Sequence, residues 1–64
     1  MENVTMRHPS HGGVLTIRKS KNDLYEIIAR VGACTWTEYS NENRAKENVE
    51  NYIQHGYVKV SNDE

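Results

Sequence analysis

The chain has 64 residues, with Lys and Arg totalling 8 against 9 Asp and Glu, so its net charge of −1 exerts no long-range pull on nucleic acid or an anionic membrane. One domain of this length buries only about 60% of its unfolded surface, which leaves little interior for a substrate pocket. Cys34 is the sole cysteine, which excludes an internal disulfide.

The opening MENVTMRHPSHGG lacks the apolar centre of a signal peptide, and no run approaches the ~20 apolar residues of a membrane span. The expectation is a protein of the bacterial host cytoplasm, without contact to membrane. Within this segment Val4 and Met6 alternate with polar residues, a pattern compatible with a short edge strand. His8-Pro9-Ser10-His11-Gly12-Gly13 reads as loop, because Pro and paired Gly both interrupt regular structure. Residues 1–13 are accordingly read as a flexible arm and loop.

VLTIRK, residues 14–19, is β-branched and apolar before it turns basic, and predicts a strand. Ser20-Lys21-Asn22-Asp23 is turn chemistry. The next segment, 24–31, fits two periods. Leu24, Ile27, Ile28 and Val31 would line one side of a helix, whereas Tyr25, Ile27, Ala29 and Val31 would line one face of a strand. Eight residues bracketed by turns on both sides favour the strand. After Gly32-Ala33, the Thr, Trp and Tyr content of CTWTEY predicts a third strand over 34–39.

Over 41–54 the apolar residues Ala45, Val49, Tyr52 and Ile53 recur at i, i+4, i+7 and i+8, one stripe of a helix. Ser40 is the expected cap, and Glu42 precedes Lys46 by four residues in the favourable order for an ion pair. Gly56 suits the left-handed position past the helix end, with Tyr57 packing back on Tyr52. Tyr57-Val58-Lys59-Val60 then alternates as a closing strand. The expected fold class is α+β: a single small domain, 14–60, in which a three-stranded antiparallel meander is followed by one helix and a short closing strand. Residues 61–64 are expected to form a disordered tail. The expected core comprises Ile17, Ile27, Ala29, Val31, Trp36, Ala45, Val49, Tyr52, Ile53, Val58 and Val60.

Chemistry is sparse. His8, His11, Cys34 and His55 lack the paired spacing of a structural zinc module, and no metal or other cofactor is expected. No phosphate-cradling glycine loop, nucleophile elbow or pair of carboxylates in an apolar setting is visible, so the chain is not expected to be an enzyme. Charge, however, is divided along the chain. Residues 7–30 hold Arg7, Arg18, Lys19, Lys21 and Arg30 against Asp23 and Glu26, while six of the nine acids fall in 31–64. A basic hairpin at Arg18, Lys19 and Lys21, with Arg30 beside it, can steer an acidic partner. Tyr25, Trp36 and Tyr39 offer apolar bodies with polar tips suited either to core or to interface.

WTEYSNENRAKENVENYIQHGYVKV, from Trp36 to Val60, resembles the closing part of small T-even phage early proteins of the Dmd antitoxin type. Both run from a tryptophan-bearing strand through a helix with a Val and an aromatic-Ile pair to a valine-rich strand, and the opening Met1-Glu2-x-Val4 is also similar. Residues 7–31 depart from that pattern. The resemblance implies a small phage protein that binds and blocks a larger protein of phage or host, such as a toxin nuclease or a defence factor. The expected function is thus non-enzymatic protein binding through Arg18, Lys19, Lys21, Tyr25, Arg30, Trp36 and Tyr39. A nucleic-acid-binding or DNA-mimicking regulator is the alternative, since a three-stranded sheet backed by a helix is similar in architecture to the arm-binding domains of phage integrases. A homodimer closed by the open sheet face is the third reading.

Overall fold

The computed structural model describes residues 1–61. Its elements run β1 (Val4–Arg7), β2 (Val14–Lys19), β3 (Tyr25–Val31), β4 (Cys34–Ser40), α1 (Glu42–Gln54) and β5 (Val58–Ser61). The strands form one antiparallel sheet in the order β4-β3-β2-β1-β5, with the helix carrying the chain from one edge to the other. The α+β class and the meander hold, but four strands precede the helix instead of three.

The extra strand corrects the expectation of an N-terminal arm. Val4 and Met6 point into the core at 5% and 0% exposure, and β1 lies between β2 and β5 in the sheet. Pairing on both sides and burial of two side chains fix this four-residue strand inside the sheet. The tail expected at 61–64 begins at the last residue of β5, and residues 62–64 lie outside the described residues.

Local chemistry sets each connection. Asn22 and Asp23 both take positive φ (59° and 60°) in the turn closed by Leu24 N–H donating to the Lys21 carbonyl, the φ pattern of a type I′ turn. Gly32, at φ 60°, opens the two-residue turn between β3 and β4. Residues 24–31 resolve as the strand alternative, with Tyr25, Ile27 and Ala29 buried and Glu26, Ile28 and Arg30 on the opposite face.

The helix is capped by Asn41, whose side chain accepts from the Arg44 N–H at 2.9 Å; the cap falls one residue beyond Ser40. At its C-terminus Gly56 N–H donates to the Ile53 carbonyl and Tyr57 N–H to the Tyr52 carbonyl, the two bonds of a Schellman motif, with Gly56 at φ 97°. The accompanying contact is present, because the Tyr52 and Tyr57 rings meet edge to face at 4.8 Å between centroids.

The core is Val4, Met6, Leu15, Ile17, Tyr25, Ile27, Ala29, Ala45, Val49 and Tyr57. Five residues expected inside are instead exposed: Val31, Trp36, Ile53, Val58 and Val60. Ala45, Val49 and Tyr52 define the buried stripe. At 100° per residue, Ile53 lies roughly 70° off its centre. In β5 the alternation works against the valines. Tyr57 turns inward with the Schellman turn, Val58 points to the open face opposite Arg7, and Val60 is the extra residue of a bulge facing Thr5 and Met6. Trp36 pairs with buried Ala29 and shares its face, but it stands on the edge strand, beyond the shelter of a helix that packs closest to β3.

Candidate interaction surface

One face of the sheet is covered by α1 and the other is open. Pairing fixes what the open face displays. One cross-strand row is Tyr39, Glu26 and Arg18; the next is Thr37, Ile28, Thr16 and Thr5; the third is Thr35, Arg30, Val14, Arg7 and Val58. The first row is a hydrogen-bonded ladder. The Arg18 guanidinium donates to Glu26 Oε1 at 2.6 Å, and the Tyr39 hydroxyl donates to Glu26 Oε2 at 3.0 Å. Arg18, and then the Tyr39 hydroxyl, hold the Glu26 carboxyl below its ordinary value, and Glu26 raises that of Tyr39. The ladder therefore presents an ionised carboxylate already matched by donors, with the Tyr39 ring held upright at 56% exposure.

The third row is unbalanced. Arg7 and Arg30 flank Val14 on adjacent strands, and no acid shares their row. Across the open face three arginines meet one glutamate. Arg7 was not among the residues singled out from the sequence, although the alternation of Val4 and Met6 inward places Thr5 and Arg7 outward.

The residues expected to form one partner site are separated. Arg18, Arg30 and Tyr39 share the open face. Lys19 lies on the helix side, near enough to Glu42 to help hold its carboxyl low, and Lys21 sits in the β2–β3 turn. Trp36 also faces the helix side. Tyr25 is buried at 4% exposure, and its hydroxyl accepts from the Met1 amino group at 2.9 Å while donating to the Met1 carbonyl. That amino group also binds Glu42 at 2.5 Å, tying the start of the chain to the first turn of the helix, where the dipole favours an acid.

A second feature lies on the helix side. His8, His11, Val31, Trp36, Asn51, Tyr52, His55 and Tyr57 line an open cleft of about 540 Å³ beside the helix C-terminus. The His8 and His11 rings stack at 3.8 Å, and both stand edge-on to Tyr57. Nδ1 of His8 accepts from Ser10 N–H, and Nδ1 of His11 from Gly13 N–H, so in both rings the Nε2 carries the hydrogen. In His55 it is Nδ1 that donates, because it meets, at 2.7 Å, the Asn51 carbonyl, which can only accept. These imidazoles thus serve loop and helix-end geometry. Among the described residues no group of three or more His, Cys, Asp or Glu is arranged to hold a metal ion, and no helix is long and apolar enough to cross a membrane.

Compared with protein-family models, curated proteins and solved structures, the chain matches none.

Proposed function

We propose that the protein is a non-enzymatic binding factor that attaches to a larger protein and modulates or inhibits it, using the open sheet face. The supporting observation is the juxtaposition of Arg7 and Arg30, without an acid in their row, beside the Ile28 row and the ordered Tyr39–Glu26–Arg18 ladder. Arginine and tyrosine are among the side chains that most often anchor protein interfaces, and a regular sheet fixes their backbone, so the ordering cost at binding is confined to the side chains. The likeness of residues 36–60 to Dmd-type phage antitoxins points the same way, towards a toxin or defence protein with an acidic contact surface in a phage-infected bacterium.

Nucleic acid is the second reading, favoured by three arginines on one exposed face. Arg18 is already neutralised by Glu26, however, and a net charge of −1 gives few counterions to release. An affinity capture from nuclease-treated bacterial lysate separates the two, with the wild-type chain and an Arg7→Ser/Arg30→Ser/Tyr39→Ala variant as baits. A protein retained by the wild type and lost with the variant is the expected result. Equal retention by both baits, or duplex DNA binding tighter than about 1 µM at physiological salt, overturns the proposal.

A further inference from the structure

The two edges of the sheet are unlike. β5 is four residues long, bulged, and turns Lys59 to the helix side opposite Met6, devices that discourage pairing with another chain. β4 has none of them: it is seven residues long, paired in unbroken register with β3, and contains neither proline nor lysine. We infer that β4 pairs with β4 of a second copy, about a two-fold axis through Thr37, to form a continuous ten-stranded sheet.

Backbone parity and the length of β4 together place that axis. Val31 and Cys34 close a two-residue turn and so form a hydrogen-bonded pair. Bonding alternates along the ladder, so Cys34, Trp36, Glu38 and Ser40 direct their N–H and C=O groups at β3. Thr35, Thr37 and Tyr39 direct theirs outward. Matching outward groups to outward groups requires an antiparallel dyad to fall on a residue and not between two, and Thr37, the midpoint of β4, gives the fullest overlap. Thr37 pairs with itself, and Thr35 of each copy pairs with Tyr39 of the other, forming about six backbone hydrogen bonds.

The side chains tolerate the same register. On the open face threonine meets threonine, and tyrosine meets threonine, pairings that stabilise antiparallel sheets. On the helix side Trp36 of each copy faces Glu38 of the other, and no like charges stand directly opposed. Glu38 is already accompanied by Arg44 at 3.7 Å.

Helix placement leaves room. α1 packs closest to β3, one strand in from the edge, so the two helices would lie about three strand spacings apart, roughly 14 Å. Packed helices approach to 8–10 Å. The difference is a furrow above the two β4 strands, and Trp36, now 47% exposed, stands beside its copy in that furrow. Pairing would also run the open faces of both copies together, doubling the arginine rows.

One strand from each copy makes a small interface, the class of weak and reversible contacts, so monomer and dimer should exchange with concentration. Sedimentation equilibrium of the full chain, in a Cys34→Ser background, should show a reversible monomer–dimer equilibrium, and emission of the single tryptophan should shift to the blue as concentration rises. Thr37→Lys places two ammonium groups across the dyad, and should weaken association at least tenfold while leaving the circular-dichroism melt unchanged. Should that variant fail to fold, oxidation of Thr37→Cys in the same background gives an independent readout. It should form a disulfide dimer far faster than Lys21→Cys, at a turn remote from the dyad. A wild type that stays monomeric to 1 mM, a folded Thr37→Lys that dimerises normally, or cross-linking no faster at 37 than at 21 overturns the inference.

Discussion

Met6→Ala and Ile53→Ala make a pair of substitutions whose order of severity is set by the structure. Both remove a large aliphatic side chain, and the helical stripe in the sequence makes Ile53 look the more important. In the fold Met6 is fully buried on an interior strand, whereas Ile53 is 49% exposed. Truncating a buried Met to Ala costs about 2–5 kcal/mol, the spread reflecting how far the site collapses. The whole stability expected of 64 residues is roughly 3–10 kcal/mol. Met6→Ala should therefore remove a large share of it, and at about 4–8 °C per kcal/mol the melting temperature should fall by about 8 °C or more. Ile53→Ala loses the burial of about half a side chain and leaves no enclosed cavity, so about 1 kcal/mol is the expected limit. Urea titration followed by far-ultraviolet circular dichroism measures both at equal m-value. If Ile53→Ala is the more damaging of the two, β1 does not lie where the sheet places it.

The Met1 amino group and Glu42 give the fold a bounded pH window. The amino group's pKa is raised, chiefly by Glu42 and then Tyr25, so its contribution is complete below pH 8 and fades as pH rises through the folded value. Glu42 is held below its ordinary 4.5, chiefly by that amino group, so its contribution is complete above 4.5 and fades as pH falls through the lower folded value. Melting temperature should accordingly decline on both sides of this window, and acetylating Met1 should abolish the alkaline decline; an unaltered profile counts against the contact. Gly56→Ala forces a side chain into φ 97° and brings its Cβ to 2.8 Å from His8 Nε2, and a loss of about 1–2 kcal/mol is expected. A melt unchanged from wild type would mean that the Schellman turn is not retained in solution.

What the sequence made legible was whatever a local rule could decide. The strand at Tyr25–Val31 followed from its length and its flanking turns, and the end of α1 followed from Gly56 followed by an aromatic residue. β1 was harder. Val4 and Met6 show the right alternation, but four residues beside a Pro-Gly loop carry too weak a signal to separate an interior strand from a frayed arm. Only the arrival of β5 on its far side, 51 residues later in the register Arg7 to Val58, makes it interior. That pairing is non-local, and no periodicity within either segment encodes it.

The same distinction explains the errors in the core and the dispersal of the expected site. Apolarity alone directs Val58 and Val60 inward, yet the residue that sets β5 parity is Tyr57, drawn in by the helix turn before it. Arg18, Lys19 and Lys21 are neighbours in sequence, but a strand sends Arg18 and Lys19 to opposite faces, so proximity along the chain does not make a patch. Conversely, Arg7 and Arg30 are 23 positions apart and come to flank Val14 only through two hairpin registers. A charge cluster on a sheet is read across strands. The turns that fix register, Asn22-Asp23 and Gly32-Ala33, therefore decide the surface as firmly as the arginines themselves. Shifting either turn by one residue would carry Arg30, or Tyr39 with its Glu26 bond, to the face that α1 covers.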